Sequence, residues 1–465
     1  MGARPKTPNQ ALATLLDAHG MSRKRLAFRV NQLAKAQGLS TAYKHSSVNR
    51  WLAGEQPKDP IPQLVAAALS ERIGRPVTAE EIGMTTSRGD AGRPGWLFPR
   101  DRADALDGMR AHWSEQPLEQ PRTDTFTRGG YTHAVTRWLA VPTDPIEPAD
   151  HPTAAEGRRR VGQHDLAELR EAADQARAWD AQFGGGDWRL SSVTQCLRDR
   201  AIPLLTSSHT DTVGQQLLAI TAELSRVVAW AAFDNGQSGT AQQHFIQALR
   251  LARAAGDVEA GAYVLTTMAL HSILEGEPDQ ALDMAQGAFH HGRGHASRRV
   301  LAFAKLAEAR AYGRLGDATS AAGALSRAER LLDTVHRTSD PPWMSYVTHS
   351  RLAADATEIF RDLRNPAAAL RWNKQATDMA ADRNPRAVGL RLAIVATACC
   401  QARDLDHALD FGHQALHALD RVSSARAGRA LHRVASALSA FDDPRVHDFT
   451  RLLHHQRIPA KATLR

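Results

Sequence analysis

The sequence predicts an all-α protein in which a short basic region precedes a long array of paired helices. Apolar residues recur at helical spacing between glycine and proline punctuation, and in the second half alanine recurs in columns roughly 40 residues apart. A third observation is the charge distribution. Residues 1–60 hold ten Lys/Arg and three Asp/Glu, whereas the whole chain of 465 residues has a net charge of +8. Nearly all of the positive surplus therefore lies in the first 60 residues, where a polyanion is the expected partner.

The first 80 residues contain four runs with helical spacing, each with its own start and stop signals. Gly20 ends the first run, Ser22 is a helix N-cap for the second, and Pro62 suits the first turn of the fourth. In the third run Val48, Trp51 and Leu52 share one face, so Trp51 is predicted to be a core residue. The predicted helices cover 9–18, 22–37, 46–53 and 62–73.

Side chains on the opposite faces of the second and third helices are candidates for contact with DNA. Arginine and asparagine pair with guanine and adenine edges, whereas serine and lysine mostly contact the phosphate backbone. A helix N-terminus bearing three cations can hold a phosphate group. The candidate DNA-contacting residues are Arg23, Lys24, Arg25, Lys44, His45, Ser46, Ser47, Asn49 and Arg50.

The third helix and the loop after it read SSVNRWLAGEQP, and this segment resembles the recognition helix of Xre/lambda-repressor helix-turn-helix domains. The resemblance covers residues 8–84 and implies a helix-turn-helix domain that binds double-stranded DNA. One departure is the link GLSTAYKH between the second and third helices, which is longer than a tight turn. It leaves open which of Thr41, Tyr43 and Lys44 reach DNA.

Residues 85–161 are rich in Gly, Pro, Arg and Asp, which is typical of a linker with short helices. Within this region, 131–140 repeats the spacing of the residues around Trp51. We interpret that segment as a packing element, and the alternative is a second element that contacts DNA.

From residue 162 onward small residues recur in three columns, and a turn separates the first column from the other two. Small side chains at fixed positions are needed where two helix backbones approach closely. The columns are Ala229, Ala269, Ala309, Thr357 and Ala396; Ala241, Ala281, Ala321, Ala369 and Ala408; and Ala248, Ala288, Ala328, Ala376 and Ala415.

This pattern resembles the tetratricopeptide (TPR) family, which implies an α-solenoid over 162–460. Five repeats fall within 222–417, with flanking helices at 162–205 and 421–457, and the fourth repeat has an insertion near 338–342. Successive spacings of 40, 40, 48 and 39 residues exceed the family's 34 and leave a HEAT-like solenoid as the alternative.

The first helices of TPR repeats line a concave groove, and their exposed stripes are candidates for ligand contact. Arginine and aromatic side chains in a groove suit a peptide, with charge-assisted hydrogen bonds to its carbonyl or carboxylate groups. The alternative is that they are solvated faces and ion pairs between helices. The candidate groove residues are Arg226, Trp230, Asp234, Tyr263, Arg310, Arg351 and Glu358.

Taken together, the two halves resemble actinobacterial Xre-type regulators with a C-terminal TPR region. The resemblance implies a sequence-specific transcriptional regulator, a repressor or pleiotropic regulator of development or secondary metabolism. Because one helix-turn-helix reads few base pairs, we expect a homodimer on operator DNA. The solenoid would mediate dimerisation and sense a signalling peptide, small molecule or protein. The alternative is a TPR scaffold that acts through protein partners and binds DNA only weakly.

Catalytic and membrane functions have little support in the sequence. It lacks both GxxxxGK[ST] and GxGxxG, and its three cysteines form no metal-ligand or disulfide pattern. His413 and His417 lie four residues apart without a recognisable third ligand. We therefore predict no enzyme activity, no cofactor and no metal site. No run of 18 apolar residues occurs, so the expected setting is the cytoplasm, without a membrane partner.

Overall fold

The computed structural model describes most of the chain, and every regular element in the described ranges is helical. The predicted all-α class is therefore confirmed. The residues form two compact units, and the chain passes from one to the other between Trp96 and Leu97. We call the first unit the head and the second the body. The described ranges are 8–36, 41–55, 57, 61–73, 77, 79, 81–84, 94–114, 125–144, 160–184, 189–335, 340–376, 384–420 and 422–455.

Four helices build the head, and each starts within one residue of its predicted position. Their apolar faces meet in one core, in which Leu12, Leu26, Val48 and Leu69 are fully buried. Removal of these apolar side chains from water stabilises the head. The helices are α1 (Gln10–Ala18), α2 (Arg23–Ala36), α3 (His45–Leu52) and α4 (Ile61–Ile73).

Asn9 ties the two ends of the head together. Its Oδ1 accepts a hydrogen bond from the Leu12 N–H at 3.0 Å and so caps α1, while its Nδ2 donates to the Ile82 carbonyl at 2.8 Å. Its own N–H donates to the Leu52 carbonyl at 2.9 Å. A β-carbon at Gly83 would lie 2.5 Å from the same Oδ1, so this crossing requires glycine. One polar side chain thereby fixes α1 against the end of α3 and closes the core.

In its described residues, the first part of the body contains five α-helices that precede the helix pairs. They are α5 (Arg102–Ser114), α6 (Thr132–Ala140), α7 (Gln163–Phe183), α8 (Arg189–Cys196) and α9 (Ile202–Leu205), with a π-helical stretch at Leu197–Ala201 between α8 and α9. Leu166, Leu197 and Leu217 belong to one buried cluster, so α7 and this stretch pack against the first helix pair.

Five helix hairpins follow, and they form a solenoid-like array because each hairpin packs against the next. Two or three residues join the helices of each pair. The pairs are α10 (Asp211–Asp234) with α11 (Ser238–Ala254), α12 (Val258–Leu274) with α13 (Pro278–Gly292), α14 (Arg298–Leu315) with α15 (Ala318–Asp333), α16 (His349–Asp362) with α17 (Pro366–Asn373), and α18 (Pro385–Gln401) with α19 (Leu405–Leu419). The helices α20 (Ala425–Leu438) and α21 (Pro444–His455) complete the body.

The same backbone turn joins the two helices in all five hairpins. Gly236, Gly276 and Gly316 have φ of +81°, +88° and +81°, and Arg364 and Arg403 take the equivalent place at +57° and +63°. A left-handed conformation at a residue with a β-carbon costs on the order of 1–2 kcal/mol. The last two hairpins tolerate this strain at arginine, so the turn geometry is a requirement of the repeat and not a consequence of glycine.

All fifteen residues of the three alanine columns are fully buried. They lie on the first and second helices of every pair, except that Ala376 follows the end of α17. A methyl side chain at these positions allows the close packing of helices within and between hairpins. The predicted role of the columns in helix packing is therefore supported by their burial.

Asp234, at the end of α10, links the first hairpin to the fifth. Its carboxylate is fully buried and accepts from Arg386 of α18 at 3.1 Å and from the Ser424 hydroxyl at 2.9 Å. Arg386 also forms a bidentate pair with Asp180 of α7, at 2.6 and 2.8 Å. The start and the end of the solenoid-like array are thus joined by one ion-pair cluster.

α10 is long and apolar enough, by length and composition, to cross a membrane, and it is the one such helix in the described ranges. Most of its residues are buried inside the body. Thr210 caps its start by accepting from the Val213 N–H at 3.3 Å. Its length is therefore accounted for by its place as the core helix of the first hairpin.

The region predicted to be a linker differs from that prediction in its described parts. The described residues of 97–144, which we call the connecting segment, are part of the body and pack on α11. Every residue of α11 is buried as a result. The physical reason is the aromatic content of the segment: Trp113, Tyr131 and Trp138 are fully buried against the first two hairpins. Residues 85–93, 115–124 and 145–159 of the predicted linker lie outside the described ranges.

Polar side chains of the body hold the backbone of the connecting segment. The Gln242 amide accepts from the Thr127 N–H at 2.7 Å and donates to the Thr127 carbonyl at 3.0 Å. Arg250 donates to the Pro99 carbonyl at 2.8 Å and pairs with Asp144 at 2.9 Å. Since these partners are more than 100 residues apart in sequence, the segment is a tertiary element of the body.

The segment at 131–140 was predicted to be a packing element, and α6 packs as that interpretation requires. Trp138 lies against Gly261 of α12, where a β-carbon would come within 2.7 Å of the indole ring. Leu139 lies against Gly287 of α13 in the same way, at 2.6 Å. Two glycines, one on each helix of the second hairpin, therefore make the site in which α6 sits.

We predict that Gly261→Ala destabilises the body by about 1 to 3 kcal/mol, because the added methyl group overlaps the Trp138 ring. Gly323→Ala is the matched control, since Gly323 is also helical and a β-carbon there meets nothing within 4 Å. The control should stabilise by about 0.5 to 1 kcal/mol through helix propensity. Urea unfolding followed by circular dichroism measures both. Equal effects of the two substitutions would contradict the proposed packing of α6.

His271 makes the stability of the body depend on pH. Its ring is fully buried between the Tyr131 hydroxyl and the Ser238 hydroxyl, each at 2.7 Å. Burial, with a smaller contribution from Arg429, lowers the pKa of His271 from 6.5 to about 3. The unfolded chain therefore binds a proton at higher pH than the folded chain, and stability is lost as the pH falls below 6.5.

We predict that between pH 7 and pH 4 the native protein loses about 3 kcal/mol more stability than the His271→Gln variant. Glutamine keeps a donor and an acceptor at this position but does not titrate. Urea unfolding at a series of pH values measures the difference between the two proteins. Parallel curves over this range would show that folding does not lower the pKa of His271.

Candidate nucleic-acid interface

Helix α3 separates its core side chains from the side chains predicted to contact DNA. Val48 and Trp51 are buried, and the Trp51 ring meets Tyr43 edge-on with centroids 5.2 Å apart. This supports the core interpretation of Trp51. The outward residues of the helix and its N-terminal flank are exposed, namely Lys44, His45, Ser46, Asn49 and Arg50.

Ser47 is the exception among the residues predicted on α3. It is buried, and its hydroxyl accepts a hydrogen bond from the Lys44 N–H at 3.4 Å. Because Ser47 lies in the first turn of α3, its side chain reaches back to the start of the helix, where a backbone N–H lacks a partner within the helix. Ser47 thus stabilises the start of α3, and its inclusion among the DNA-contacting residues is corrected.

The first turn of α2 lies beside the exposed face of α3. Arg23, Lys24 and Arg25 are all exposed there, and the Ser22 hydroxyl accepts from the Arg25 N–H at 3.3 Å. Arg23 Nη1 donates to the Asn49 Oδ1 at 3.0 Å. This hydrogen bond joins the two predicted groups of residues into one surface.

Asn31 of α2 positions the link that precedes α3, and sequence reasoning missed it. Its Nδ2 donates to the Tyr43 carbonyl at 2.9 Å, and its Oδ1 accepts from the Tyr43 N–H and from the Thr41 hydroxyl, both at 2.9 Å. Thr41 and Tyr43 are thereby engaged within the head, and Lys44 is the member of this group that is exposed. The sequence signal for this role is that Asn31 is a polar residue next to the apolar face of α2.

Most of the positive charge on this surface is not neutralised by nearby carboxylates. Arg50 lies 3.5 Å from Glu55, but both side chains are more than a third exposed, so the pair is weak. No described acidic side chain lies within ion-pair distance of Lys24, Arg25 or Lys44. By contrast, Arg29 on the other side of α2 pairs with Glu71 at 2.6 Å and lowers the pKa of that carboxyl group.

Comparison with protein families gives one finding for this part of the chain. The family model described as the SP15 N-terminal domain matches residues 12–85. The matched range contains nearly all of α1 and the whole of α2, α3 and α4, and it ends before the body begins. No curated protein matches the chain. The match supports the head as a unit that recurs in other proteins.

The residues predicted to line an open ligand groove in the body are mostly buried, which corrects that expectation. Arg226, Asp234, Tyr263, Arg310 and Glu358 are each less than a tenth exposed. Trp230 and Arg351 are half-buried. The interpretation as ion pairs between helices, which the sequence left open, describes these residues better.

Their partners lie on the first helices of the hairpins, either on the neighbouring helix or on the same one. Arg310 of α14 donates to Glu358 of α16 at 2.6 Å, and Arg351 donates to Asp355 at 3.0 Å. The surrounding arginines, Arg310 foremost, hold the pKa of the Glu358 carboxyl group well below its usual range. These charges therefore stabilise one another across the array.

Arg226 and Tyr263 belong to a second group at the first hairpins. Arg226 donates to Glu223 at 2.9 Å, and its guanidinium lies 4.7 Å from the centre of the Tyr263 ring. The Tyr263 hydroxyl is 3.3 Å from that of Tyr346. Here too the predicted residues contact other residues of the body.

Helix α20 contacts the remaining predicted groove residues. The Arg426 guanidinium lies 5.0 Å from the Trp230 ring centre and its Nε lies 3.2 Å from Asp234. Arg429, one turn later, lies over Phe233 at 5.7 Å. Sequence reasoning treated this helix only as a flanking element, so it did not predict that the chain itself would cover Trp230 and Asp234.

The cysteines and histidines give no sign of reactive chemistry in the described ranges. Burial raises the pKa of the Cys399 thiol to about 12 and that of Cys400 to about 11, so neither is a nucleophile near neutral pH. No group of three or more metal-ligating side chains is placed to hold an ion within the same ranges. His413 Nδ1 instead lies 2.8 Å from the Leu409 carbonyl of its own helix.

Proposed function

We propose that the protein is a sequence-specific DNA-binding transcriptional regulator, with a head of the Xre/lambda-repressor helix-turn-helix type and a body of the TPR type. The observation that carries this proposal is the surface on which the cations of the first turn of α2 meet Asn49 and Arg50 of α3. It lies on a compact unit of its own, and its charges are largely unpaired. Both properties are expected of a surface that binds a polyanion.

In this proposal α3 enters the major groove and reads base edges. Arg50 is exposed and has the donor geometry for the O6 and N7 atoms of guanine, and Asn49 can pair with adenine. The hydrogen bond from Arg23 fixes the Asn49 Oδ1 at 3.0 Å and so orients its amide before DNA binds. A fixed amide loses less conformational entropy on binding.

The first turn of α2 supplies contacts to the phosphate backbone. Lys24 and Arg25 are exposed beside a helix N-terminus, where unpaired N–H groups and the helix dipole favour an anion. Lys44 and His45 extend the cationic surface at the start of α3. Such contacts position the protein and carry no sequence information by themselves.

The body is proposed to mediate dimerisation and to sense a ligand or protein in the cytoplasm. The repeated left-handed turn and the fully buried alanine columns support its assignment to the TPR type. Any peptide that binds at Trp230 and Asp234 must first displace α20. Control of development or secondary metabolism rests on the family resemblance alone.

We predict that Arg50→Ala relaxes base preference at one position of the site and costs about 1 to 3 kcal/mol of binding free energy. Arg25→Ala should weaken binding to all sequences alike and reduce the slope of log K against log salt by about 1. Arg72→Ala, an exposed arginine on α4 outside the proposed contact set, is the control. Binding-site selection from random DNA, followed by fluorescence anisotropy at several salt concentrations, measures these effects.

The same experiment tests the alternative of a protein scaffold. A scaffold with only nonspecific affinity would enrich no shared motif, and Arg50→Ala would then weaken binding no more selectively than Arg25→Ala. If the folded chain enriches no motif and the two variants behave alike, the proposed function is overturned.

We predict that the full chain binds its operator as a two-fold dimer. The selected motif should be an inverted repeat with half-sites about 10 base pairs apart, centre to centre, or a multiple of that spacing. Sedimentation velocity with and without the selected DNA determines the stoichiometry. A strict monomer on a single half-site would contradict this prediction while leaving base recognition by α3 intact.

A further inference from the structure

A cleft of about 470 Å³ lies where the connecting segment meets the second and third hairpins. This volume is within the range of small-molecule sites. Leu139 comes from α6, Lys305 and Glu308 from α14, and Arg327 from α15, and the remaining lining residues belong to α13. Those from α13 are Gln286, Gly287, Phe289, His290 and His291.

An ion pair that is almost wholly buried forms part of the lining. Lys305 Nζ donates to Glu308, and the two side chains are 5% and 7% exposed. The Lys305 ammonium also lies 4.0 Å from the centre of the Phe289 ring. Burying such a pair stabilises a fold weakly or not at all. Its charged atoms are, however, available to a ligand that enters the cleft.

The lining carries one more positive charge than negative. Lys305 and Glu308 balance each other, whereas Arg327 is exposed and has no acidic partner among the described residues. His290 is exposed at the edge, and burial together with His290 lowers the pKa of His291. The cleft therefore favours an anion, with imidazole and amide groups as additional hydrogen-bond partners.

The apolar part of the lining comes from Leu139 and Phe289. Leu139 reaches the cleft because Gly287 has no side chain, and a β-carbon at that position would lie 2.6 Å from the Leu139 Cδ2. A ligand in the cleft would thus contact the connecting segment and two hairpins at once. Binding of such a ligand would stabilise the packing of α6 against the body.

We propose that this cleft binds a small organic anion. Arg327, His290 and Lys305 would hold its carboxylate or phosphate group, and Leu139 and Phe289 would contact its apolar portion. The cleft would supply the ligand site for the sensing role in the proposed function. Only an effect of the anion on DNA binding rests on that proposed function. Binding of the anion itself requires nothing of the head.

The test uses the full chain without DNA and three probes: butyrate, inorganic phosphate, and butanol as the uncharged analogue of butyrate. At constant ionic strength, butyrate or phosphate should raise the thermal unfolding midpoint, with half-saturation in roughly the millimolar range for so small a ligand. Butanol should not. A response to butyrate alone identifies a carboxylate ligand, and a response to phosphate alone identifies a phosphate ligand.

Arg327→Gln should weaken the response at least about tenfold, since one charge-assisted bond is lost. Arg330→Gln is the matched control, because Arg330 lies on the same helix but donates to the Ser326 hydroxyl at 2.7 Å and does not line the cleft. Equal responses of the two variants would reveal a general salt effect and overturn the proposal. No response of the native chain to either anion at millimolar concentration would overturn it as well.

The outcome is independent of DNA recognition. If the anion binds and no DNA motif is enriched, the proposed function fails and the cleft remains a ligand site. If a motif is enriched and neither anion binds, only the cleft proposal fails. Where both succeed, anisotropy with and without the probe shows whether the ligand changes operator affinity.

Discussion

The helix pairs of the body pack closely through small side chains, nearly all of them alanine, and this constraint determines much of the rest. The fifteen column positions are fully buried, and fourteen of them are alanine. Because the two helices of a pair lie so close together, the chain must reverse direction within two or three residues. A residue in the left-handed conformation makes this reversal. Arg364 and Arg403 adopt that turn despite their β-carbons. Its cost, on the order of 1–2 kcal/mol at each, is small beside the loss of a close-packed interface.

Alanine interfaces bury little apolar area per residue, so the body needs additional apolar cover. The connecting segment provides it with large aromatic side chains, of which Trp113 and Trp138 are fully buried. Trp113 stacks on His244 of α11, with ring centres 4.5 Å apart. With the segment packed on α11, every residue of that helix is buried. The described parts of this segment therefore belong to the folded body.

Elements set by local sequence were predicted well, and those set by distant partners were not. The four helices of the head follow from capping residues and apolar spacing, and the hairpins follow from the alanine columns. The burial of Asp234 depends on Ser424 and Arg386, which lie 190 and 152 residues away. No spacing rule indicates such pairs, so the predicted groove appeared open. Ser47 was misassigned for a smaller reason, since capping and DNA contact both suit a serine at the start of a helix.

The difference between lysine and arginine accounts for the contrast between the two units. Arginine forms flat pairs with carboxylates that survive burial. In the body Arg386 makes a bidentate pair with Asp180, and Arg310 divides its donors between Glu358 and Asp355. Lysine keeps a strongly hydrated point charge at the surface, and five of the eight lysines occur in the first 60 residues. Lys305 departs from that division because it is buried in the body and lies at a cleft. Its ammonium group is a compact point charge with three rotatable donors, so a donor not used by Glu308 can turn towards the small anionic group proposed for the cleft.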